Sequence, residues 1–150
     1  MKFRKANLDD LSQLLDLEQR VIEAERPFNS SIKTEKTTYY DIEGLILDNS
    51  SHLIVTEDAD QIIATGYAQI RQSKGSLNHD THSYLGYIYV SPDFRGKGIS
   101  QALVGQLISW SKRKGAQAAY LDVYSENVSA IKAYAKVGFE PSLLEMKLIL

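Results

Sequence analysis

Residues 87–101 read YIYVSPDFRGKGISQ and combine the end of a strand, a glycine-rich turn and the start of a helix. The aromatic and β-branched residues of Ser83–Val90 predict a strand, which Pro92 ends. The apolar residues of Gly98–Lys114 recur at helical spacing and predict a long amphipathic helix. Free N–H groups and the dipole at a helix start favour an anion, and Gly96 lets backbone approach it closely. The segment therefore predicts a strand–loop–helix unit with an anion site in its loop.

Two common phosphate-binding loops do not match this segment. The pattern GxxxxGK[ST] is absent, and GxGxxG fails because Gln101 stands at the position of its third glycine. ATPase and Rossmann interpretations therefore lose support. A glycine-rich turn before a helix can also be only a turn, so the segment alone leaves that interpretation open.

Two motifs in this chain resemble those of the GNAT superfamily of acetyltransferases. Arg95–Ser100 resembles its [QR]xxGx[GA] acetyl-CoA signature, although Ser100 replaces the last glycine or alanine. The family's NxxAxxxYxxxGF helix is similar to a second segment, at Asn127, Ala130, Tyr134, Gly138 and Phe139. The order of the two motifs and their separation also resemble the family pattern.

The resemblance implies a fold and a reaction for one domain spanning residues 1–150. The implied fold is α/β, with a mixed, mostly antiparallel sheet, a splayed parallel strand pair and about four flanking helices. The implied reaction transfers acetyl from acetyl-CoA to a primary amine, on a small molecule or a peptide, by direct attack in a ternary complex. The alternative is a catalytically weak sensor or scaffold that binds acetyl-CoA.

Hydrophobic periodicity predicts the remaining elements. Asn7 is the expected N-cap of a first helix that ends near Glu25 and Arg26, before Pro27. The other predictions are a first strand at Met1–Ala6, a weaker helix at Thr34–Leu47, a hairpin of His52–Glu57 and Gln61–Arg71, a strand at Ala118–Tyr124, a helix at Asn127–Val137 and a terminal strand or strand pair at Phe139–Leu150.

Coenzyme contacts are implied by the resemblance along both motifs. The backbone N–H of Val90 would polarise the thioester carbonyl, unless the sheet already satisfies that donor. The implied coenzyme-binding residues are Ile88, Tyr89, Val90, Arg95, Gly96, Lys97, Gly98, Ile99, Ser100, Gln101, Asn127, Ala130 and Tyr134.

Acid, base and acceptor residues are also implied. Tyr134 resembles the family's general acid, and Asp122 occupies the place of a carboxylate that serves as base in one branch. An ion-paired Asp122 is the alternative, and Glu25 with a water chain ending on Tyr87 is a second route to a base. The amine acceptor is expected against the N-terminal helices, at Glu25, Arg26, Tyr40 and Tyr87.

The amino-acid composition limits which cofactors and partners we expect. With 17 basic and 19 acidic side chains the net charge is −2, which predicts no nucleic-acid or membrane partner. The chain has no cysteine and its three histidines lack ligand spacing, so no metal is expected beside the cosubstrate acetyl-CoA. No targeting segment is evident, and a cytoplasmic location is expected. The alternating apolar residues of Leu143–Leu150 offer a strand through which a homodimer could form.

Overall fold

Five strands form one mixed sheet, and helices pack on both of its faces. The computed structural model describes residues 1–150. Its strands are β1 (Lys2–Lys5), β2 (Ser51–Asp58), β3 (Gln61–Gln72), β4 (Thr81–Val90) and β5 (Ala119–Tyr120), and its helices are α1 (Leu11–Glu25), α2 (Ile42–Leu47), α3 (Ile99–Arg113) and α4 (Val128–Val137). Short 3-10 turns cover Leu8–Asp10, Arg26–Phe28 and Pro92–Phe94.

The strands follow one another across the sheet in the order β1-β2-β3-β4-β5. The first three neighbouring pairs are antiparallel and β4–β5 is parallel. Ala59 and Asp60 adopt positive φ angles of 49° and 63° in the two-residue turn between β2 and β3. This left-handed pair is typical of a tight hairpin, and the predicted hairpin and mixed α/β sheet are confirmed.

Alternating side chains of the sheet build a core on each face. In β2, Leu53 and Val55 face α1 and α2, whereas Ile54 faces α3. Glycine at position 66 of β3 brings α3 close, because a Cβ there would lie 2.6 Å from Leu103 Cδ2. The sheet and α3 are therefore packed tightly where β4 enters the glycine-rich turn.

Helix caps match the sequence signals. The Asn7 side chain accepts from the Asp9 N–H, and the Asp10 carboxylate accepts from the Asn7 N–H in a capping box. Gly98 and Gly138 adopt left-handed backbone before α3 and after α4. None of the helices has the length and apolar character that crossing a membrane requires.

Two predicted elements are wrong in extent. Residues 34–41 are not helical, and only Ile42–Leu47 forms α2. The Glu18 carboxylate explains this, because its Oε2 accepts from the N–H groups of Tyr39 (3.0 Å) and Tyr40 (2.8 Å), which holds the segment against α1. The strand predicted at 118–124 shrinks to Ala119–Tyr120, since the chain leaves β4 after Tyr120.

The terminal strand predicted at Phe139–Leu150 does not form within the chain. No backbone N–H or C=O of residues 140–150 joins a backbone hydrogen bond. A strand is stabilised by its ladder partner, and no strand of this sheet pairs with the terminal segment.

Candidate active site

The parallel pair β4–β5 separates after two residue pairs. Ser83 faces Ala119 and Tyr84 faces Tyr120, and no pairing continues towards Val90. A β-bulge in β4 accompanies the separation, because two residues of β4 oppose one residue of β3 between its flanking pairs. Tyr87 lies in this bulge with a φ of 54°, a left-handed conformation that is rare for a bulky side chain. A gap thus opens between the second half of β4 and the chain after β5.

The backbone of Val90 faces this gap. The Ser91 N–H donates to the Ile63 carbonyl at 2.8 Å, so the neighbouring Val90–Ala64 pair is the non-hydrogen-bonded one. The Val90 N–H consequently points away from β3 and towards the gap, and the sheet does not satisfy it. The Val90 carbonyl accepts from Arg95 Nε at 2.8 Å, which ties the following loop to the end of β4.

The start of α3 presents a row of free backbone donors. Gly96 and Gly98 have φ angles of 77° and 79°, and a Cβ built on either would meet no atom within 4 Å. None of the six N–H groups from Gly96 to Gln101 donates within the chain, since the first helical bond runs from Ala102 to Gly98. Such a row at the positive end of a 15-residue helix suits a pyrophosphate.

Cationic side chains flank these donors without blocking them. The Arg95 guanidinium lies 5.6 Å from the Tyr89 ring and donates from Nε, which leaves its two terminal nitrogens free. The Lys97 ammonium lies 5.3 Å from the Phe94 ring. A phosphate group therefore fits this loop by charge, by donors and by available space.

Helix α4 brings Asn127 and Tyr134 to the same side of the sheet. Asn127 caps the helix, because its side-chain oxygen accepts from the Ala130 N–H at 3.3 Å. Tyr134 packs against the core cluster that contains Val90 and Ile99, and its hydroxyl has no hydrogen-bond partner in the chain. Burial, together with the nearby charge of Glu25, raises the pKa of Tyr134 to about 12. This phenol is therefore protonated at neutral pH, as a general acid must be before it reacts.

Glu25 reaches the site from the last turn of α1. Burial raises the pKa of the Glu25 carboxyl, and the hydrogen-bonding influence of Tyr39 partly opposes that shift. The charge of Glu25 in turn raises the pKa of Tyr134 and of Tyr40. Glu25 therefore lies within electrostatic range of Tyr134, although the two residues are far apart in the sequence.

The other predicted acceptor residues are largely engaged. Tyr87 is buried, and its hydroxyl donates to the Leu14 carbonyl. Tyr40 stacks on the Tyr87 ring with centroids 4.8 Å apart and shares the same aromatic cluster. Arg26 is held by Glu23 at 2.9 Å and donates to the Lys33 carbonyl at 2.6 Å. The Tyr40 side chain also lines an open cleft.

Asp122 lies beyond the end of β5, on the exposed side of the gap. Its Oδ2 accepts from the Tyr84 hydroxyl at 2.9 Å. The Tyr84 ring in turn lies 4.0 Å from the Arg71 guanidinium. Asp122 therefore belongs to a polar chain on the surface of β3 and β4, whereas the Glu25 carboxylate is half-buried.

Comparisons with known proteins agree with this geometry. The model of the acetyltransferase (GNAT) family matches residues 15–139. The chain belongs to the GNAT family. An uncharacterized N-acetyltransferase of Bacillus subtilis, YobR, is 31% identical over 84 residues, which cover 56% of this chain and 31% of that protein. The matched region of this chain spans about a third of that relative's length.

Solved structures share the fold of this GNAT chain. A mutant of the BH1408 protein of Bacillus halodurans superposes with a TM-score of 0.89, at 23% identity over 100% of this chain and 99% of that one. An aminoglycoside N-acetyltransferase in complex with CoA has a TM-score of 0.76, at 18% identity over 99% of this chain and 98% of that one. At these identities the likeness establishes the fold.

One residue that positions this GNAT site was missed by the sequence analysis. Glu18 is fully buried on α1 and fixes the backbone of Tyr39 and Tyr40, which line a cleft of about 350 Å³. A signal for it exists in the sequence, because Glu18 lies four residues after Leu14 and four before Ile22 on the apolar face of the helix. A charged residue at such a position needs buried partners.

Proposed function

We propose that this GNAT protein transfers acetyl from acetyl-CoA to a primary amine by direct attack in a ternary complex. The observation that carries the proposal is the row of six free N–H groups at Gly96–Gln101, which opens beside the gap between β4 and β5. A turn with only a structural role would need neither a row of free N–H groups nor a gap between β4 and β5. The acceptor is a small molecule or a peptide that carries the amine.

Coenzyme binding would use both features. The N–H groups of Gly96–Gln101 would hold the pyrophosphate, with Arg95 and Lys97 as flanking cations. The edge of Ile88–Val90 that faces the gap would hydrogen-bond the pantetheine arm, and the Val90 N–H would stabilise negative charge on the thioester oxygen. Asn127 and Ala130 would contribute by fixing the start of α4, which carries Tyr134.

Two side chains handle the protons in the proposed reaction, one as donor and one as acceptor. The neutral amine attacks the thioester carbon, the carbon–sulfur bond breaks, and the proton of the Tyr134 hydroxyl passes to the departing sulfur. A carboxylate accepts the proton that the amine loses on acylation. Glu25 is favoured for this role over Asp122, because Glu25 shares the electrostatic environment of Tyr134, while Asp122 already accepts from Tyr84.

A cleft beside α2 favours a cationic acceptor by its net charge. Aromatic rings of Tyr39, Tyr40 and Tyr67 line it, and the carboxylates of Asp41 and Asp48 outnumber the one guanidinium, that of Arg71. Aromatic faces and carboxylates both attract an ammonium group before it loses its proton. The fold likeness to an aminoglycoside N-acetyltransferase, whose name denotes a polycationic amine substrate, supports the same class.

A thiol-release assay tests the proposal. Acetyl-CoA is mixed with the protein and with small amines, polyamines, aminoglycosides, amino acids or short peptides, and coenzyme binding is measured by calorimetry in parallel. Release of CoA thiol with one amine class is the expected result and identifies the acceptor. Tight binding without release from any acceptor would favour the sensor function, and absence of both would refute acetyl-CoA as the ligand.

A further inference from the structure

Arg71 presents an oriented guanidinium that has no ionic partner in the chain. It lies near the end of β3, on the sheet face that carries Tyr67 and Gln69, and it lines the cleft beside α2. The ion pairs of the chain are made by Arg4 and Arg26, and neither terminal nitrogen of Arg71 donates to another group of the chain. A guanidinium with two free terminal nitrogens in an open cleft suits a carboxylate, which it can bind through two parallel hydrogen bonds.

Two contacts fix the plane of this guanidinium. The carbon Cζ of Arg71 lies 4.0 Å from the centre of the Tyr84 ring, and the Tyr84 hydroxyl donates to Asp122 Oδ2 at 2.9 Å, which holds the ring in place. On the other side, Arg71 Nε donates to Gln69 Oε1 at 2.9 Å. These contacts occupy one face and the Nε–H of the guanidinium, so its two terminal nitrogens stay available to a ligand.

A chain of hydrogen bonds sets the orientation of the Gln69 amide. Ser51 Oγ donates to Asp48 Oδ2 at 2.8 Å. Because that bond uses its only proton, Ser51 Oγ accepts from Gln69 Nε2 at 3.1 Å, and the amide oxygen is left to face Arg71. Ser51 is 3% exposed, so these bonds are largely shielded from water. The chain therefore holds the Asp48 carboxylate and the Arg71 guanidinium in a fixed relation to each other.

The charges along the cleft match those of a basic amino acid. Asp41 and Asp48 line the cleft together with Arg71. One oxygen of Asp41 accepts from the Gly44 N–H, and the other has no partner in the chain. Two carboxylates and one guanidinium are complementary to a molecule with two amines and one carboxylate. The cleft holds about 350 Å³, near the lower end of the range for ligand pockets, which suits a small molecule.

We propose that the acceptor is an amino acid with a basic side chain, and that its carboxylate binds to Arg71. One of its amines takes the acetyl group from acetyl-CoA and gives up a proton, CoA leaves as the thiol, and the other amine stays an ammonium group beside Asp41 and Asp48. Tyr40 joins the cleft to the gap between β4 and β5, because it lines the cleft and stacks on Tyr87 in the β4 bulge. This acceptor class rests on the proposed acetyl transfer and adds to it the requirement for a carboxylate.

Pairs of acceptors that differ only by the carboxylate test the role of Arg71. Free lysine is compared with cadaverine, and ornithine with putrescine, by thiol release at saturating acetyl-CoA. The wild type is expected to favour the amino acid of each pair by about 10-fold or more in kcat/KM. Arg71→Ala is expected to lower kcat/KM for the amino acid by about 10- to 100-fold, through KM. For the diamine, kcat/KM should stay the same or rise, because the substitution removes a charge that repels it.

Two variants separate carboxylate binding from effects of fold and net charge. Arg71→Lys keeps the charge but lacks the planar fork, so its kcat/KM for the amino acid should lie between those of the wild type and Arg71→Ala. Arg113→Ala removes a positive charge from the last turn of α3, which packs on the other face of the sheet, and should leave both members of each pair as in the wild type.

The outcomes distinguish the acceptor class from the reaction. Equal losses for the amino acid and the diamine in Arg71→Ala, or no loss for the amino acid, would overturn the carboxylate site. Thiol release from the diamines that equals or exceeds release from the amino acids in the wild type would overturn the acceptor class alone. No release from any amine would overturn the acetyl transfer and the acceptor class together.

Discussion

Replacement of Gly98 by alanine tests the coenzyme loop and separates its binding role from its effect on stability. Gly98 has a φ of 79°, a left-handed conformation that costs an alanine about 1–2 kcal/mol. No atom lies within 4 Å of the added Cβ, so no steric term adds to this cost. For a domain of this length the loss lowers the melting temperature by about 2–8 °C.

The effect of Gly98→Ala on coenzyme affinity follows from the donors around it. The new methyl group would enter the space in which the N–H groups of Gly96–Gln101 meet the pyrophosphate. Loss of one hydrogen bond to a charged group costs about 1.5–3 kcal/mol, which corresponds to about a 10- to 100-fold weaker dissociation constant. Calorimetric titration with acetyl-CoA, after the variant is shown to be folded by circular dichroism, measures this change.

Gly115 provides the matched control at the other end of α3. Its φ is 84°, and a Cβ built there also meets nothing within 4 Å. Gly115→Ala should lose about the same stability as Gly98→Ala and bind acetyl-CoA like the wild type. Equal coenzyme affinities in the two variants would refute the assignment of the loop.

Four further substitutions test the acid, the base and the packing beneath the site. Tyr134→Phe should lower kcat by about 10²- to 10⁴-fold with little change in acetyl-CoA affinity, and an unchanged kcat would remove Tyr134 from the mechanism. In the wild type, kcat/KM should rise with pH as the Glu25 carboxyl ionises. Because burial raises the pKa of this carboxyl, the rise should occur at a higher pH than is usual for glutamate. Glu25→Gln should abolish that limb of the pH profile while Asp122→Asn retains it, and the reverse outcome would make Asp122 the base. Gly66→Ala should lower the free energy of unfolding by about 1–3 kcal/mol in urea titration, because its Cβ would lie 2.6 Å from Leu103, and unaltered stability would contradict the tight packing of α3 on the sheet.

Local signals in the sequence predicted the turn before α3 and the helix α4, which carry the proposed coenzyme contacts. The turn from β4 into α3 depends on neighbouring residues, and Gly98 and Pro92 specify it within a few positions of the chain. The same holds for α4, whose limits follow from the Asn127 cap and the left-handed Gly138. These elements needed no knowledge of distant contacts.

The acceptor side could not be predicted in the same way, because contacts between distant residues determine it. Glu18 holds Tyr39 and Tyr40 in place from 21 and 22 residues away and prevents the helix that the apolar spacing of 34–47 suggested. The effect of the Glu25 charge on the pKa of Tyr134 likewise links the end of α1 to α4, and no local pattern encodes it.

The C-terminal residues 143–150 show a third limit of the sequence pattern. The alternation of Leu144, Met146 and Leu148 has the period of a strand, but no strand forms there. A strand also needs a partner, and the sheet of the same chain does not supply one. Periodicity describes the preference of a segment, whereas its pairing depends on what lies next to it.

The central claim of direct transfer from acetyl-CoA to an amine is tested most directly by initial velocities of thiol release. The velocities are measured over a matrix of acetyl-CoA and amine concentrations, with the best acceptor from the panel. Direct attack in a ternary complex predicts reciprocal plots that intersect. Parallel lines, the pattern of a covalent acetyl-enzyme, would contradict the mechanism. The absence of amine-dependent release at any concentration would contradict the proposed enzyme itself.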